Sequence, residues 1–175
     1  MSGENGQSVR WIMQKSGAVM QGWQMRDRRK EVLALCVCLT LGACSSVGSY
    51  HGPVQCAPYA RQVSGVNLRG RAASWWWEAR GHYQRSHRPQ PGSVLVFRAS
   101  SRIPDGHVSV VRRLRTRRRI EVDHANWVGG RIEHSVPVED ISPRGDWSLV
   151  RVWWAPAGSM GRRAYPTYGF ILPMR

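Results

Sequence analysis

Nucleophilic attack on an amide needs a thiol, an imidazole to move its proton and a polar group to hold the imidazole. The chain carries all three in a workable order. Cys56 stands where a helix begins, in Val54-Gln55-Cys56-Ala57-Pro58-Tyr59-Ala60-Arg61. The positive end of a helix dipole favours the thiolate, the nucleophilic form. His107 follows Gly106 and opens His107-Val108-Ser109-Val110-Val111, which reads as a strand. The next strand, Ile120 to Trp127, places Val122, His124 and Asn126 on one face and Asp123 on the other. An imidazole there would take the thiol's proton and return it to a leaving amine. A third group would fix its tautomer. An isolated cysteine is more often a small buried apolar residue, so the surrounding elements must decide.

Pro58 suits the first turn of a helix, where its missing N–H does no harm. Tyr59, Ala60 and Val63 recur at helical spacing, and Ser64-Gly65 ends the run. A second amphipathic helix is expected over 72–79, with Gly81 as its stop. Three adjacent tryptophans, Trp75 to Trp77, cannot all face one way on it. At least one belongs in the core, and the others could line a sugar- or peptide-binding groove. His82 and His87 lie in an arginine-bearing loop without a metal-spaced companion, so they read as solvated. Pro89-Gln90-Pro91-Gly92 is a turn, and Ser93 to Phe97 a buried strand. Further strands are expected over Ile132 to Val138 and Trp147 to Trp154, with a last short one in Tyr165 to Leu172.

The first 53 residues follow a different plan. Met25 to Lys30 is a basic cluster, Val32 to Leu41 is apolar, and Leu41-Gly42-Ala43-Cys44 closes the run with small residues. Charged start, short apolar middle and small residues at the cut describe a secretory signal. About ten apolar residues are too few for a membrane span, which needs roughly 20. Leu41-Gly42-Ala43-Cys44 also resembles a bacterial lipoprotein lipobox, which implies a lipid on Cys44 and a membrane anchor at the new N-terminus. The expected organisation is an extension (1–24), a signal (25–43), a tether (44–53), a domain (54–155) and a tail (156–175) packed on it or extending it. Met25 is then a natural start, and recovery of earlier residues in membrane-bound protein would contradict that hypothesis. The resemblance implies a cell-envelope, periplasmic location, with the outer membrane as the anchoring surface.

Such processing would remove Cys36 and Cys38 and modify Cys44, leaving Cys56 as the one free thiol of four cysteines. Exported proteins ordinarily pair their cysteines or avoid them. The charge of +15 over 175 residues raises nucleic acid, anionic lipid or an anionic polymer as partners. Removing 1–43 takes six of 26 basic and three of 11 acidic residues, leaving 20 arginines against eight acids. Six arginines between Arg112 and Arg119 read as the solvated tip of a hairpin. The run has no aromatic residue and no nucleic-acid motif accompanies it, so no nucleic-acid partner is expected.

Four segments together resemble the CHAP family, the cysteine- and histidine-dependent amidohydrolases/peptidases of cell-wall turnover. They are Gln55-Cys56 opening a helix, the Pro91 to Phe97 strand, Gly106-His107-Val108, and His124-Ala125-Asn126-Trp127. The resemblance implies an α+β, papain-like fold with N-terminal helices packed on an antiparallel sheet. It implies hydrolysis of an amide bond in peptidoglycan, between sugar and stem peptide or within the peptide; no cofactor is expected, and no metal site is evident in the sequence. By position, Cys56 would be the nucleophile and His107 the general base and acid. Gln55 precedes the nucleophile as in the family, and the Cys56 backbone N–H is an equal candidate for oxyanion donor. Many members carry an acid where this chain has His124. Asn126 and His124 therefore rank above Asp123 as the group that orients His107. The alternative is a CHAP-like module that binds the wall or a partner without turnover.

Overall fold

Val94-Leu95-Val96-Phe97 is apolar at every position and bounded by turn residues, the pattern of a strand covered on both faces. In the computed structural model, which describes residues 54–174, all four side chains are buried. The extension, signal, Cys44 and tether expected in 1–53 lie outside the described residues.

The described residues run through α1 (Cys56–Ser64), a 3-10 turn (Ala72–Ser74) leading into the one-turn α2 (Trp75–Glu78), and eight strands. These are β1 (Arg85–Ser86), β2 (Val94–Phe97), β3 (His107–Thr116), β4 (Arg119–Ala125), β5 (Ile132–Asp140), β6 (Leu149–Trp154), β7 (Ser159–Met160) and β8 (Tyr165–Ile171). All pairings are antiparallel. The order β8-β2-β3-β4-β5-β6 closes on itself, because β8 also pairs with β6. Segment 156–175 thus supplies β7 and the strand that closes the barrel.

Closure creates two apolar layers. Leu95, Phe97, Val111, Ile120, Val122, Val138, Val152 and Phe170 belong to a cluster drawn from all six closing strands, and it fills the barrel. Val94, Val96, Val108, Val110 and Ile171 point the other way and pack under Ala60, Ala72 and Trp75. The period-2 alternation read in β2 and β3 is what assigns neighbours to opposite layers. Each fully buried aliphatic or aromatic side chain stabilises the fold by about 2 kcal/mol relative to exposure.

The helical part departs from expectation. The antiparallel sheet is present, but it closes into a barrel, and among the described residues no set of helices forms a layer over an open sheet. Among the described residues only α1 is longer than one turn, and it lies against β3 and β4. The helix expected over 72–79 is a 3-10 turn followed by a single α turn. Its tryptophans divide: Trp75 is fully buried and Trp77 is 54 % exposed. His82 and His87 are exposed. The arginine run is an extension of β3 to Thr116 with a tight turn at Arg117-Arg118, and its arginines are exposed.

Gly106 fixes the approach to the site. Its φ is +71°, and a Cβ there would meet Ala73 Cβ and the Phe97 carbonyl oxygen, each at 2.7 Å. Only glycine lets the 72–74 turn and the end of β2 converge just before His107.

Candidate active site

Cys56 is the first residue of α1, preceded by Gln55 in extended conformation. Pro58 falls within the first turn, and α1 closes on Gly65 in the left-handed region, whose N–H donates to the Arg61 carbonyl at 3.2 Å. The buried face of the helix, Tyr59 and Ala60, holds it against the sheet. Cys56 is half-buried beside the outer apolar layer.

The Cys56 thiol faces the backbone N–H groups of Val108 and Ala57 and its own. They favour the thiolate, as the helix position suggested. Burial is the larger effect and pushes the thiol's pKa up, with the Asp105 charge adding to the rise. The local preference for the thiolate is present but is outweighed by burial, which favours the thiol.

His107 is the first residue of β3 and is buried. In the β3–β4 ladder Val110 pairs with Asp123. Continuing that register places Ser109 across from His124 and His107 on the diagonal, within reach of a ring. His107 Nε2 lies 3.3 Å from Nδ1 of His124, which is fully buried. Burial, with a smaller contribution from His124, lowers the His107 pKa well below its ordinary value of 6.5. His107 is a neutral imidazole at neutral pH.

A residue absent from the sequence reading completes the line. Glu133 is the direct cross-strand partner of His124. Its Oε2 is 3.5 Å from His124 Nε2, at the outer edge of hydrogen-bonding range. The hydrogen bond from His124 is the main cause of a lowered Glu133 pKa, aided by the Val128 N–H. Glu133 is thus a carboxylate and can only accept. A proton on His124 Nε2, toward Glu133, would leave His124 Nδ1 to accept from His107 Nε2. That leaves the lone pair of His107 on Nδ1, free to receive the proton of a thiol. That arrangement corresponds to one tautomer at each ring.

The other candidates take different places. β4 ends at Ala125, and Asn126 has φ +63°, so it leaves the alternation that would have set it beside Val122 and His124. Its Nδ2 donates to Gln55 Oε1 at 3.2 Å, and its Oδ1 accepts from the Gly130 N–H at 2.9 Å. Asn126 and Gln55 therefore tie the start of α1 to the end of β4, holding the thiol's helix against the histidines' strands. Asp123 lies on the opposite face, where it meets His134 at 3.3 Å, Arg112 at 3.6 Å and the Ser135 N–H at 2.8 Å. Trp127 covers the histidines, stacked on His124 at 5.6 Å and edge-on to His107 at 4.9 Å. Among the described residues no group of His, Cys, Asp and Glu could hold a metal ion.

Residues 45–126 match a protein-family model. That family is the CHAP domain. The resemblance carried by the four segments is borne out, and three of them, with all but the last residue of the fourth, fall inside the CHAP match. Strands β5 to β8, Glu133 among them, lie beyond it. No curated protein matches the chain. Among solved structures, the chain is similar to an N-acetylmuramoyl-L-alanine amidase from Staphylococcus aureus, with 25 % identity and a TM-score of 0.44 over 60 % of this chain and 33 % of that one. It is also similar to Ly7917 with the hydrolyzing product of MDP, with 20 % identity and a TM-score of 0.40 over 70 % of this chain and 55 % of that one. The chain thus spans between a third and little over half of those proteins.

Proposed function

We propose that the chain is a peptidoglycan hydrolase that cleaves an amide bond with Cys56 as nucleophile. Supporting this are the CHAP match and, above all, the line Glu133–His124–His107, whose two histidines are buried, together with Cys56, the free cysteine among the described residues. A fully buried histidine pair would serve stability better as apolar residues, so its retention fits a proton-transfer role.

His107 Nδ1 takes the Cys56 proton as sulfur bonds to the amide carbon. The carbonyl electrons move onto oxygen, which accepts a hydrogen bond from the Cys56 N–H. Collapse of that intermediate breaks the C–N bond, and the imidazolium of His107 returns its proton to the departing amine. Water, deprotonated by His107, then attacks the thioester, releasing the carboxylate product and the thiol. His124 steadies the imidazolium formed in each half, and Glu133 offsets the charge that reaches His124.

The test is release of amine groups from purified sacculi by the full chain and by Cys56→Ala. The variant should lose activity by at least about a thousandfold, since a missing nucleophile leaves only binding effects. Equal release by both proteins would reduce the domain to a wall-binding module. Mass spectrometry of the products would identify which amide is cut.

A further inference from the structure

The strand ends that hold the histidines also frame a second concavity. In the antiparallel barrel, the end of β2, the start of β3, the end of β4, the start of β5, the end of β6 and the start of β8 all lie at one end. There, beyond Trp127, is a cavity of about 480 Å³, a size that takes a small ligand or one arm of a larger one. Trp127, Trp154 and Tyr165 wall it on the aromatic side, and Arg162 and Arg163 also line it. Neither Cys56 nor His107 lines it. The link is the Trp127 indole, edge-on to Tyr165 at 4.9 Å and to His107 at the same separation.

The chemistry of this wall is one-sided. It contains no aspartate or glutamate. Arg162 and Arg163 are exposed and enter no ion pair among the described residues, whereas Arg112, Arg115, Arg119 and Arg151 each face a carboxylate. Gly161 sets them there: a Cβ at this position would meet the Val152 carbonyl oxygen at 2.7 Å, so glycine lets the segment after β7 close onto β6. Two unpaired guanidiniums beside aromatic faces suit a carboxylate carried next to a sugar ring or an aliphatic chain.

We propose that this cavity is a substrate subsite that receives a carboxylate-bearing arm of the glycopeptide, with its carboxylate on Arg162 and Arg163 and its apolar or ring face on Trp154 and Tyr165. The identity of the ligand rests on the hydrolase reading; the anion preference does not. The arm enters past Trp127 while the scissile amide lies at Cys56, so the subsite selects among wall peptides by charge.

Binding can be followed by tryptophan fluorescence in the full chain carrying Cys56→Ala, which prevents turnover. The probes are a soluble peptidoglycan fragment with free stem-peptide carboxylates and the same fragment with those groups converted to amides. The acid form should bind about tenfold more tightly, the worth of one charge-assisted contact pair. Adding Arg162→Ala and Arg163→Ala should abolish that preference, and the Arg162→Lys, Arg163→Lys pair should keep part of it. Thermal unfolding of each variant separates loss of the site from loss of the fold. Equal binding of acid and amide, no binding of either, or a preference that survives the alanine pair would each overturn the subsite. Amine release by the Cys56 protein is scored separately. Release without charge preference discards the subsite and keeps the hydrolase, and preference without release does the reverse.

Discussion

At one end of the barrel His107 and His124 lie buried under Trp127, with one carboxylate, Glu133, in line. At the other end Arg115 meets Glu121 at 2.7 Å and Arg119 meets Glu139 at 3.2 Å, all in contact with water. Both ends hold paired ionisable groups on the same strands, β3 to β5. Only the first displaces a histidine's protonation equilibrium far from its ordinary value. Solvent makes the difference. Water screens the arginine pairs and offers each partner an alternative, so they contribute little. His107 has no such alternative, so burial, with His124 adding to it, sets its protonation. Charge density along the sequence is greatest at the end where it does least.

His124→Leu should sharpen this contrast most. It fills the space but removes the acceptor for His107, and kcat/KM on wall substrate should fall by about 10²- to 10⁴-fold, with thermal stability retained. A loss under threefold would mean that His107 needs no partner.

Glu133→Gln comes next. In the parent, catalysis requires unprotonated His107, whose pKa lies below 6.5. Activity should therefore persist as pH falls through 6.5 and disappear only as pH falls through the lowered value. The amide keeps the size of Glu133 but removes the anion that favours a cationic histidine. It should lower kcat about tenfold and move the acid limb to still lower pH. An unchanged pH–rate profile would exclude Glu133 from the relay. Stability follows the same sign. Below pH 6.5 the unfolded chain binds a proton at His107 that the folded chain refuses, so unfolding becomes easier as pH drops.

Arg119→Ala, at the opposite end, should change unfolding free energy by no more than about 0.5 kcal/mol and leave kcat/KM unchanged. Glu139 keeps Arg151 at 2.9 Å in its place. A tenfold activity loss would show that the two ends are coupled and would break the comparison.

Much of the site could be read locally. Cys56 at a helix start follows from Pro58, Gly65 and the spacing between them. His107 and His124 on inward faces follow from alternation, which needs only one strand at a time. Asn126 was misplaced because alternation was carried one residue past the strand's end, where a positive φ turns the side chain toward Gln55. Glu133 gave no signal at all. It lies nine positions from His124, on a strand whose register is set by pairing and not by its own pattern. The balance at the thiol was out of reach for a related reason. A helix dipole is local and visible in sequence, whereas the burial that outweighs it comes from packing.

By itself the sequence determined which groups could act as nucleophile and base, and which face of each strand they occupy. These depend on helix ends and on a two-residue repeat, both short-range. The tertiary structure alone decided that the sheet closes through β8, that Glu133 rather than Asp123 or Asn126 ends the histidine line, and that Arg162 and Arg163 border a cavity beside Trp127. Each of these rests on which strand lies next to which, and long-range pairing is a property of the whole barrel.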